Sequence, residues 1–507
     1  MEPGQQQRLG PDVHQDALSA PASAAGAYEE VAYPGYVYPH THPARLEALG
    51  RLFGLSPAPA AGCRVLELGC GDGANSLAIA QTLPEATVVG VDASGSAIAR
   101  GRALAAAAEL GNVELRTGDF GAVESLARLG PVDYVIAHGV YSWIPPAARA
   151  ALLELTRRAL APQGIAFVSY NAYPGSYLRD MTRDILAYHL QGVRAPAERL
   201  VRAQHLMRTI VSVDSPTPYA RVLREQLQRM LDGSDALLYH DDLAAISTPF
   251  YFHEFMEHAA ARGLQFLSEA DLADSQLRDV PEGVGGLVAA LPPDVVVREQ
   301  YLDFFSNRAF RQTLLVHAEL PLERVLDDAA LEALVLSSSA RPTDDGFLGP
   351  DGAVMRTADA LVAAAMDELC ERWPEPVALP ELVTAAARRA GTAPVSGEAR
   401  RGLRRVLLDA HLAHLVLLSA GASALTAHPG PRPRASALAR AQSAAGTRVL
   451  STLIPGNVPL DDEADRRLLA LLDGTRDRPA LADQLAITPE TLEQALQRLA
   501  GHGLISR

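Results

Sequence analysis

Short continuous runs of hydrophobic residues alternate with helical patterns between residues 63 and 171. The runs CRVLEL and TVVGVD have the length and composition of strands that are buried on both faces. The segment SLAIAQTL between them fits a helix, and NVELRTGDF, VDYVIAHGV and GIAFVSYN predict three further strands. Strands that alternate with helices predict an α/β domain built on a parallel sheet.

Beyond residue 176 the apolar positions recur mostly at helical spacing. The segments RLVRAQHLMRTIVSV and ARVLREQLQRML predict an all-α middle domain, and three further helical segments follow after it. The tail that begins with DDEADRRLLALL reads as three helices and a closing apolar strand. This order is typical of a winged helix, so we predict a C-terminal winged-helix-like domain.

The composition narrows the possible partners and compartments. A chain of 507 residues exceeds what one hydrophobic core supports. All 45 basic residues are arginine and the net charge is −15, so we expect no nucleic-acid partner. No apolar run is long enough to span a bilayer, and the N-terminal segment lacks the apolar core of a signal peptide. We therefore expect a cytoplasmic protein without membrane insertion.

Metal binding is not expected from the cysteine and histidine positions. Cys63, Cys70 and Cys370 are too widely spaced for a zinc site. His253 and His258 stand five positions apart, whereas two zinc ligands on one helix face stand four apart.

The most specific local pattern is a glycine-rich turn after the first predicted strand. Gly69, Gly71 and Gly73 have the spacing G-x-G-x-G. Glu67 precedes them, and Asp92 ends the next predicted strand, where an acid can bind ribose hydroxyls. This spacing differs from the G-x-G-x-x-G of dinucleotide-binding enzymes. It suits a ligand with a carboxylate, an amine and a ribose but no phosphate, as in S-adenosylmethionine.

Longer motifs carry a resemblance to one family. The turn resembles motif I of class I S-adenosylmethionine-dependent methyltransferases, (D/E)-x-G-x-G-x-G. The stretches P-x-THP-x-RL, IAHGVYSWIP, VSYN-x-YPG, YFHEFMEHAAARGLQFLSEADL and EQYLDFFSNRAFRQTLLVH resemble bacterial methyltransferases with a methyltransferase regulatory domain. That group includes rickettsial-type protein-lysine methyltransferases. The resemblance implies a Rossmann-like core, S-adenosylmethionine as cofactor, and methyl transfer to a lysine side chain of a protein.

The patterns and the resemblance together divide the chain into seven segments. They are a disordered leader at 1–27, an aromatic N-terminal lid at 28–45, the cofactor-binding methyltransferase domain at 46–190, a helical regulatory or substrate domain at 191–320, a helical and possibly winged-helix-like domain at 321–430, a linker at 431–449, and a winged-helix-like domain at 450–507.

Candidate cofactor-binding residues lie in the lid, around the glycine turn and at the ends of later strands. They are His42, Arg45, Glu67, Gly69, Cys70, Gly71, Asp72, Gly73, Asn75, Asp92, Ala93, Ser94, Gly118, Asp119, Phe120, His138 and Gly139.

Candidate acceptor-site residues are mostly aromatic, because aromatic walls desolvate an amine and tolerate a cationic product. They are Tyr33, Tyr36, His138, Tyr141, Trp143, Tyr170, Asn171 and Tyr173. Tyr33 and Tyr173 both lie in an AYPG tetrapeptide, and we predict that they form two walls of one pocket. His138 and His42 are the candidate proton acceptors.

Three alternatives remain open from the residues alone. In the first, the methyl acceptor is a small molecule or peptide metabolite. In the second, the chain binds S-adenosylmethionine only as a sensor and acts through its C-terminal domains. In the third, the winged-helix tail makes the protein a nucleic-acid-linked regulator, although its third helix carries Glu490, Glu493 and only Arg498 as a basic residue.

Overall fold

A seven-stranded sheet forms the centre of the first two thirds of the chain. The computed structural model describes residues 31, 33–119, 130–275, 284–421 and 425–506. The strand order is β3-β2-β1-β4-β5-β7-β6; β1 to β5 run parallel, and β7 is antiparallel to both of its neighbours. The strands are β1 Arg64–Leu68, β2 Thr87–Asp92, β3 Val113–Thr117, β4 Val132–Ala137, β5 Leu160–Asn171, β6 Leu264–Glu269 and β7 Phe310–His317.

Helices cover both faces of this sheet, which explains why its strands are nearly continuous in hydrophobic residues. The helix before the sheet is α1 Pro43–Leu52, and the crossover helices are α2 Ala74–Thr82, α3 Gly95–Ala107 and α4 Pro146–Ala159. The predicted α/β core with a parallel sheet is therefore confirmed.

A helical insert separates β5 from β6. It contains α5 Ser176–His189, α6 Pro196–Ser212, α7 Pro218–Asp232, a helical turn Asp235–Leu237 that continues as a π-helical turn Leu238–Asp242, and α8 Phe252–Ala260. Helices α9 Val284–Ala289 and α10 Val295–Ser306 lie between β6 and β7.

The predicted segment 191–320 is helical only in part. Its strands β6 and β7 return to the central sheet, where β7 pairs with β5. The apolar runs of both strands are buried there, with Phe266, Leu314 and Leu315 at most 4% exposed. The prediction of an all-α segment needs this correction, because short apolar runs do not distinguish a strand from a buried helix.

A buried ionic cluster holds α10 against the sheet. The Arg311 side chain is fully buried and donates to Glu269 at 2.7 Å and to Asp303 at 2.8 Å. It also donates to Glu299 at 3.2 Å, and its guanidinium carbon lies 3.9 Å from the centre of the Phe252 ring. The cluster therefore joins β6, β7, α8 and α10 through one side chain.

Two smaller modules follow the sheet. In the first, strands β8 Val335–Ser337, β12 Val377–Ala378 and β13 Leu417–Ser419 pack with helices α11 Ala360–Arg372, α12 Leu379–Ala390 and α13 Gly397–Leu412, and a second small sheet consists of β9 Arg341–Thr343, β10 Gly346–Leu348 and β11 Val354–Met355.

The second module contains β14 Arg434–Ala435, α14 Ala437–Ala444, β15 Val449–Ser451, β16 Asn457–Pro459, α15 Glu463–Leu471, α16 Arg478–Leu485, α17 Pro489–Gly501 and β17 Ile505–Ser506. The predicted linker 431–449 therefore contains β14 and α14. Gln81 of α2 accepts a hydrogen bond from the Leu438 N–H at 2.8 Å, so α14 packs on the sheet domain. The segment was predicted to be a linker because it is rich in alanine. Its sequence does not show that α14 is buried by contact with a neighbouring domain.

Among the described residues, no helix has both the length and the apolar composition needed to cross a membrane. The leader 1–27 lies outside the described residues, as do 28–30 and Ala32 of the predicted lid.

Candidate active site

The glycine turn after β1 has a left-handed backbone at three positions. Gly69, Gly71 and Gly73 have φ angles of 74°, 58° and 78°, in the region that favours glycine. The carboxylate of Asp92, at the end of β2, accepts hydrogen bonds from the Gly71 and Ser94 amides, each at 2.8 Å. These bonds fix the turn at the carboxyl edge of the parallel sheet.

A buried polar cluster lies beneath the turn. The Asn75 side chain donates to Glu67 at 2.9 Å, and the Ser76 hydroxyl donates to the other Glu67 oxygen. Glu67 is 3% exposed, and this burial raises the pKa of its carboxyl to about 7 despite both hydrogen bonds. Glu67 therefore supports the turn from below and is nearly inaccessible.

Two glycines leave open space at the ends of adjacent strands. A β-carbon added to Gly71 or Gly139 would meet no atom within 4 Å, although both have positive φ angles. In contrast, a β-carbon at Gly69 would lie 2.3 Å from Val140 Cγ2, and one at Gly73 would lie 2.7 Å from Leu115 Cδ1. Gly71 and Gly139 thus border open space, while Gly69 and Gly73 pack against the protein.

The lid lies directly on the glycine turn. The Tyr38 amide donates to Asn75 Oδ1 at 3.0 Å, and Asn75 Nδ2 donates to Thr41 Oγ1 at 3.0 Å. The Tyr38 ring stacks on His138, with centroids 3.6 Å apart and planes 19° apart. A β-carbon at Gly35 would lie 2.3 Å from an Asp72 carboxylate oxygen, so this glycine permits the close approach.

Two other parts of the chain hold the lid. Asn457, in the C-terminal module, exchanges two hydrogen bonds with the backbone of Val37, at 2.8 and 2.9 Å. Nε2 of His240, in the π-helical turn, lies 2.7 Å from the Val31 carbonyl oxygen. The centres of the His240 and Tyr33 rings are 5.5 Å apart. The lid therefore contacts the methyltransferase domain, the helical insert and the C-terminal module.

The carboxyl ends of β4 and β5 carry the polar and aromatic groups nearest the lid. Asn171 ends β5, opposite Phe310 in the β5–β7 ladder, and the Phe310 ring lies 6.1 Å from that of His138. Asn171 is 6% exposed, and its Nδ2 has no hydrogen-bond partner in the described part of the chain. Among the described residues, Asn171 therefore has an unpaired amide donor at the carboxyl end of β5.

Trp143 and Tyr173 are half-buried and have different neighbours. The Arg179 guanidinium lies 5.9 Å from the centre of the Trp143 ring and donates to Asp242 at 2.7 Å. The Tyr173 hydroxyl donates to Asp180 at 2.8 Å. The Tyr173 ring stacks on that of Tyr177, with the ring centres 4.2 Å apart.

The two AYPG tyrosines have ring contacts with different neighbours. Tyr33 contacts His240, whereas Tyr173 contacts Tyr177 and Tyr251. That Tyr33 and Tyr173 form two walls of one pocket stays a prediction. Tyr36, two positions before Tyr38, is half-buried.

Tyr141 and Tyr170 belong to the hydrophobic core. Each is 1% exposed, because their backbone positions direct the rings under the sheet edge among Phe250 and Phe255. The Tyr141 hydroxyl lies 3.0 Å from His258 Nδ1. The prediction that these rings line the acceptor pocket needs correction, since neither is accessible.

His42 and Arg45 make contacts away from the glycine turn. His42 caps α1 through the Ala44 amide and lies 2.9 Å from the Thr82 hydroxyl, at the far end of α2. Arg45 donates to the Ala270 carbonyl at 3.1 and 3.3 Å. These contacts correct the prediction that both side chains bind the cofactor at the turn.

The remaining cofactor candidates surround the Asp92 edge. Ala93 and Asp119 are exposed, Ser94 caps α3, and the Gly118 amide donates to the Asp92 carbonyl at 2.9 Å. Cys70 is buried, and burial raises the pKa of its thiol well above the ordinary value. Phe120 lies outside the described residues.

Sequence reasoning missed Tyr38, Phe310 and Asn457. Tyr38 lies in the aromatic segment before THP. Its position directly before a proline could have identified it as a candidate site residue. Phe310 begins a strand that was assigned to a helical domain. Asn457 had no local signal, because its partner is 420 positions away.

Family models match three segments of the chain in sequence order. A model described as a methyltransferase domain matches residues 65–164. One described as a predicted methyltransferase regulatory domain matches residues 234–317, and one described as the PKMT C-terminal winged helix domain matches residues 431–498.

Relatives are found in Rickettsia. The uncharacterized proteins RP789 and RP028 of Rickettsia prowazekii are each 34% identical, over 303 and 243 residues. The match to RP789 covers 59% of this chain and about half of RP789, 54%. The match to RP028 covers 48% of this chain and 96% of RP028.

A solved structure matches nearly the whole chain. PKMT2 from Rickettsia typhi has 25% sequence identity and a TM-score of 0.81, with 93% of this chain and 100% of that chain covered. The same protein in complex with AdoHcy gives a TM-score of 0.82. Together with the sheet topology and the glycine turn, these matches show that the chain belongs to the class I S-adenosylmethionine-dependent methyltransferases with a methyltransferase regulatory domain and resembles the rickettsial protein-lysine methyltransferases.

Proposed function

We propose that this protein transfers a methyl group from S-adenosylmethionine to lysine side chains of a protein acceptor. The observation that carries the proposal is the likeness to Rickettsia typhi PKMT2 along almost the entire chain, including the C-terminal winged helix. PKMT denotes protein-lysine methyltransferases. A likeness restricted to the methyltransferase domain would say little about the acceptor, because that domain serves many acceptors.

The residues around the glycine turn fit the cofactor. Open space beside Gly71 and Gly139 admits a ligand to the backbone, and the Asp92 carboxylate lies at the edge of that space. S-adenosylmethionine supplies a methyl group on a positively charged sulfur, which is a good leaving group. The chain therefore has to position both reactants and to exclude water.

The end of β5 is the place we assign to the acceptor amine. The Asn171 amide is not fixed by another side chain, so it is free to orient toward an amine. Phe310, which is 39% exposed, and the half-buried rings of Trp143 and Tyr173 are the apolar groups available around it. Desolvation by such rings lowers the pKa of a lysine and exposes the lone pair that attacks the methyl carbon.

Neither predicted proton acceptor has the basicity for that role. Burial lowers the pKa of His138 to about 3, with the charge of His40 as a smaller cause, and lowers that of His42 to about 4. Both imidazoles are therefore neutral at physiological pH and protonate poorly. We assign His138 to the wall under Tyr38, and we infer that the lysine proton leaves to solvent before the amine attacks.

The deciding experiment gives methyl-labelled S-adenosylmethionine and the purified protein to a cell extract that has been separated into protein and small-molecule fractions. We expect label in the protein fraction, recovered as methyllysine after acid hydrolysis. Since the chain contains no lysine, methyllysine cannot come from the enzyme itself. Asp92→Asn, which loses one of the two acceptors for the turn amides, is the inactive control. Label only in small molecules would favour the metabolite alternative and contradict the proposal.

A further inference from the structure

One face of helix α5 presents tyrosine and aspartate side chains beside the candidate active site. The helix begins five residues after Asn171, directly behind the Tyr173-Pro174-Gly175 turn. Tyr177, Asp180, Asp184 and Tyr188 follow at intervals of three or four positions, which places them on one helix face. Tyr177 is 52% exposed and Tyr188 is 78% exposed.

The two arginines of α5 point elsewhere and are engaged. Arg179 donates to Asp242 at 2.7 Å, and Arg183 donates to the Ala244 carbonyl at 2.7 Å. Asp184 is exposed and takes part in no ion pair among the described residues. Asp184 and the two exposed tyrosines therefore give the outward face of the helix an acidic and aromatic character.

The aromatic surface continues from α5 to Tyr251, directly before α8, and to Phe304 of α10. The Tyr177 and Tyr251 hydroxyls lie 2.9 Å apart, and the Tyr251 ring contacts Phe304 at 5.9 Å. Phe304 is 45% exposed. Large exposed aromatic groups that are contiguous mark an interaction surface more often than a free surface.

We propose that this face, formed by Tyr177, Asp184, Tyr188 and Phe304, binds a basic segment that flanks the methylated lysine of the acceptor. The proposal rests on the proposed function, because it takes the acceptor to be a polypeptide. Arginine and lysine side chains stack on tyrosine rings and pair with carboxylates, so the face and a basic segment are complementary. The overall charge of −15 attracts the same segment from a distance.

The geometry sets the length of the segment. Tyr177 and Tyr188 are eleven positions apart on the helix, which corresponds to ~16 Å. An extended peptide covers that distance with about five residues. The basic residues should therefore lie within about five to seven positions on one side of the acceptor lysine.

Binding and turnover of two synthetic peptides test the proposal separately. One peptide carries a lysine followed by six residues that include three arginines; the other has glutamine in place of arginine. Fluorescence anisotropy in the presence of S-adenosylhomocysteine reports binding. We expect the arginine peptide to bind at least about ten-fold more tightly, with an affinity that falls as salt is added.

The variant Asp184→Asn/Tyr188→Ala should weaken binding of the arginine peptide about five- to ten-fold and leave the glutamine peptide unchanged. Asp483→Asn/Tyr219→Ala, at exposed positions of α16 and α7, is the matched control and should bind like the wild type. Equal weakening in both double variants, or none in either, overturns the docking face. Arginine-dependent binding that requires Asp184 and Tyr188, without methyllysine formation on any protein, would support the face and contradict the proposed function.

Discussion

The side chain of Asn457 pairs with the backbone of Val37. The Val37 N–H donates to Asn457 Oδ1 at 2.9 Å, and Asn457 Nδ2 donates to the Val37 carbonyl at 2.8 Å. Val37 immediately precedes Tyr38, the ring that stacks on His138. A residue of the C-terminal module thus fixes the backbone of the lid next to its contact with the candidate active site.

Asn457→Ala should loosen the lid without unfolding the protein. The variant loses two hydrogen bonds that are each worth about 1 kcal/mol, so we expect binding of S-adenosylhomocysteine to weaken by up to about thirty-fold. Isothermal titration calorimetry measures the change. Gln497→Ala, at an exposed position of the same module, should bind as the wild type does. Unchanged affinity in Asn457→Ala would show that the lid does not contribute to cofactor binding.

Gly71→Ala and Gly69→Ala should separate cofactor binding from stability. Alanine at Gly71 loses about 1 kcal/mol of stability because of the positive φ angle. Its methyl group would enter the open space beside the turn, so cofactor affinity should fall more than stability does. At Gly69 the methyl group would also meet Val140 at 2.3 Å, so we expect a larger loss of unfolding free energy. Urea denaturation and calorimetry measure both quantities, with Gly62→Ala as the control. The reverse order of stabilities would contradict this description of the turn.

Glu67 should make stability depend on pH. Its pKa is about 7 in the folded protein and near 4.5 in an exposed carboxyl, so only the folded chain keeps the proton between these values. The unfolding free energy should therefore fall as pH rises from about 5 to 7, by up to about 1.4 kcal/mol per pH unit, and level off above. Glu67→Gln should lack this slope in urea denaturation at several pH values. Glu257→Gln, at an exposed position, is the control; parallel curves for wild type and Glu67→Gln would contradict the prediction.

Tyr173→Phe and Tyr170→Phe form a matched pair at two ends of one short segment. Tyr173→Phe loses the hydrogen bond to Asp180 and should lower kcat about ten-fold while cofactor affinity changes little. Tyr170→Phe loses a 3.3 Å contact with Thr313 in the core and should keep kcat within about two-fold. Single-turnover methyl transfer distinguishes them. A larger kcat effect in Tyr170→Phe would place the acceptor site on the other side of the sheet edge.

Arg311→Met should be among the most destabilising single changes. It leaves Glu269 and Glu299 buried without the Arg311 cation, whereas Asp303 keeps its ion pair with Arg308; the loss costs about 3–5 kcal/mol. Arg116→Met removes the exposed pair with Glu114 and should cost less than about 1 kcal/mol. Guanidinium denaturation compares the two. Similar losses in both variants would show that the buried carboxylates become protonated at little cost.

Much of the methyltransferase domain could be predicted from the sequence, because its signals are local. The spacing of Gly69, Gly71 and Gly73 encodes three positive φ angles, and Asp92 ends the strand on which its role depends. Buried parallel strands read as continuous apolar runs, so their order along the chain was also predictable.

The rest depended on contacts between distant segments. Tyr141 and Tyr170 have the composition of pocket residues, and only the packing of Phe250 and Phe255 against them shows that they are core residues. The strands β6 and β7 needed β5 as a partner before they could be distinguished from helices. For the same reason, no pattern within the lid indicated which residues hold it in place.

The pairing of Val37 with Asn457 also bears on how the enzyme is made. During synthesis the lid leaves the ribosome hundreds of residues before Asn457, and translation of the intervening 420 positions takes about half a minute. Through that interval the sheet domain can fold, but the lid lacks its C-terminal anchor. We therefore expect a nascent chain to acquire its full affinity for cofactor only when translation nears the end, so that methyl transfer is restricted to finished molecules.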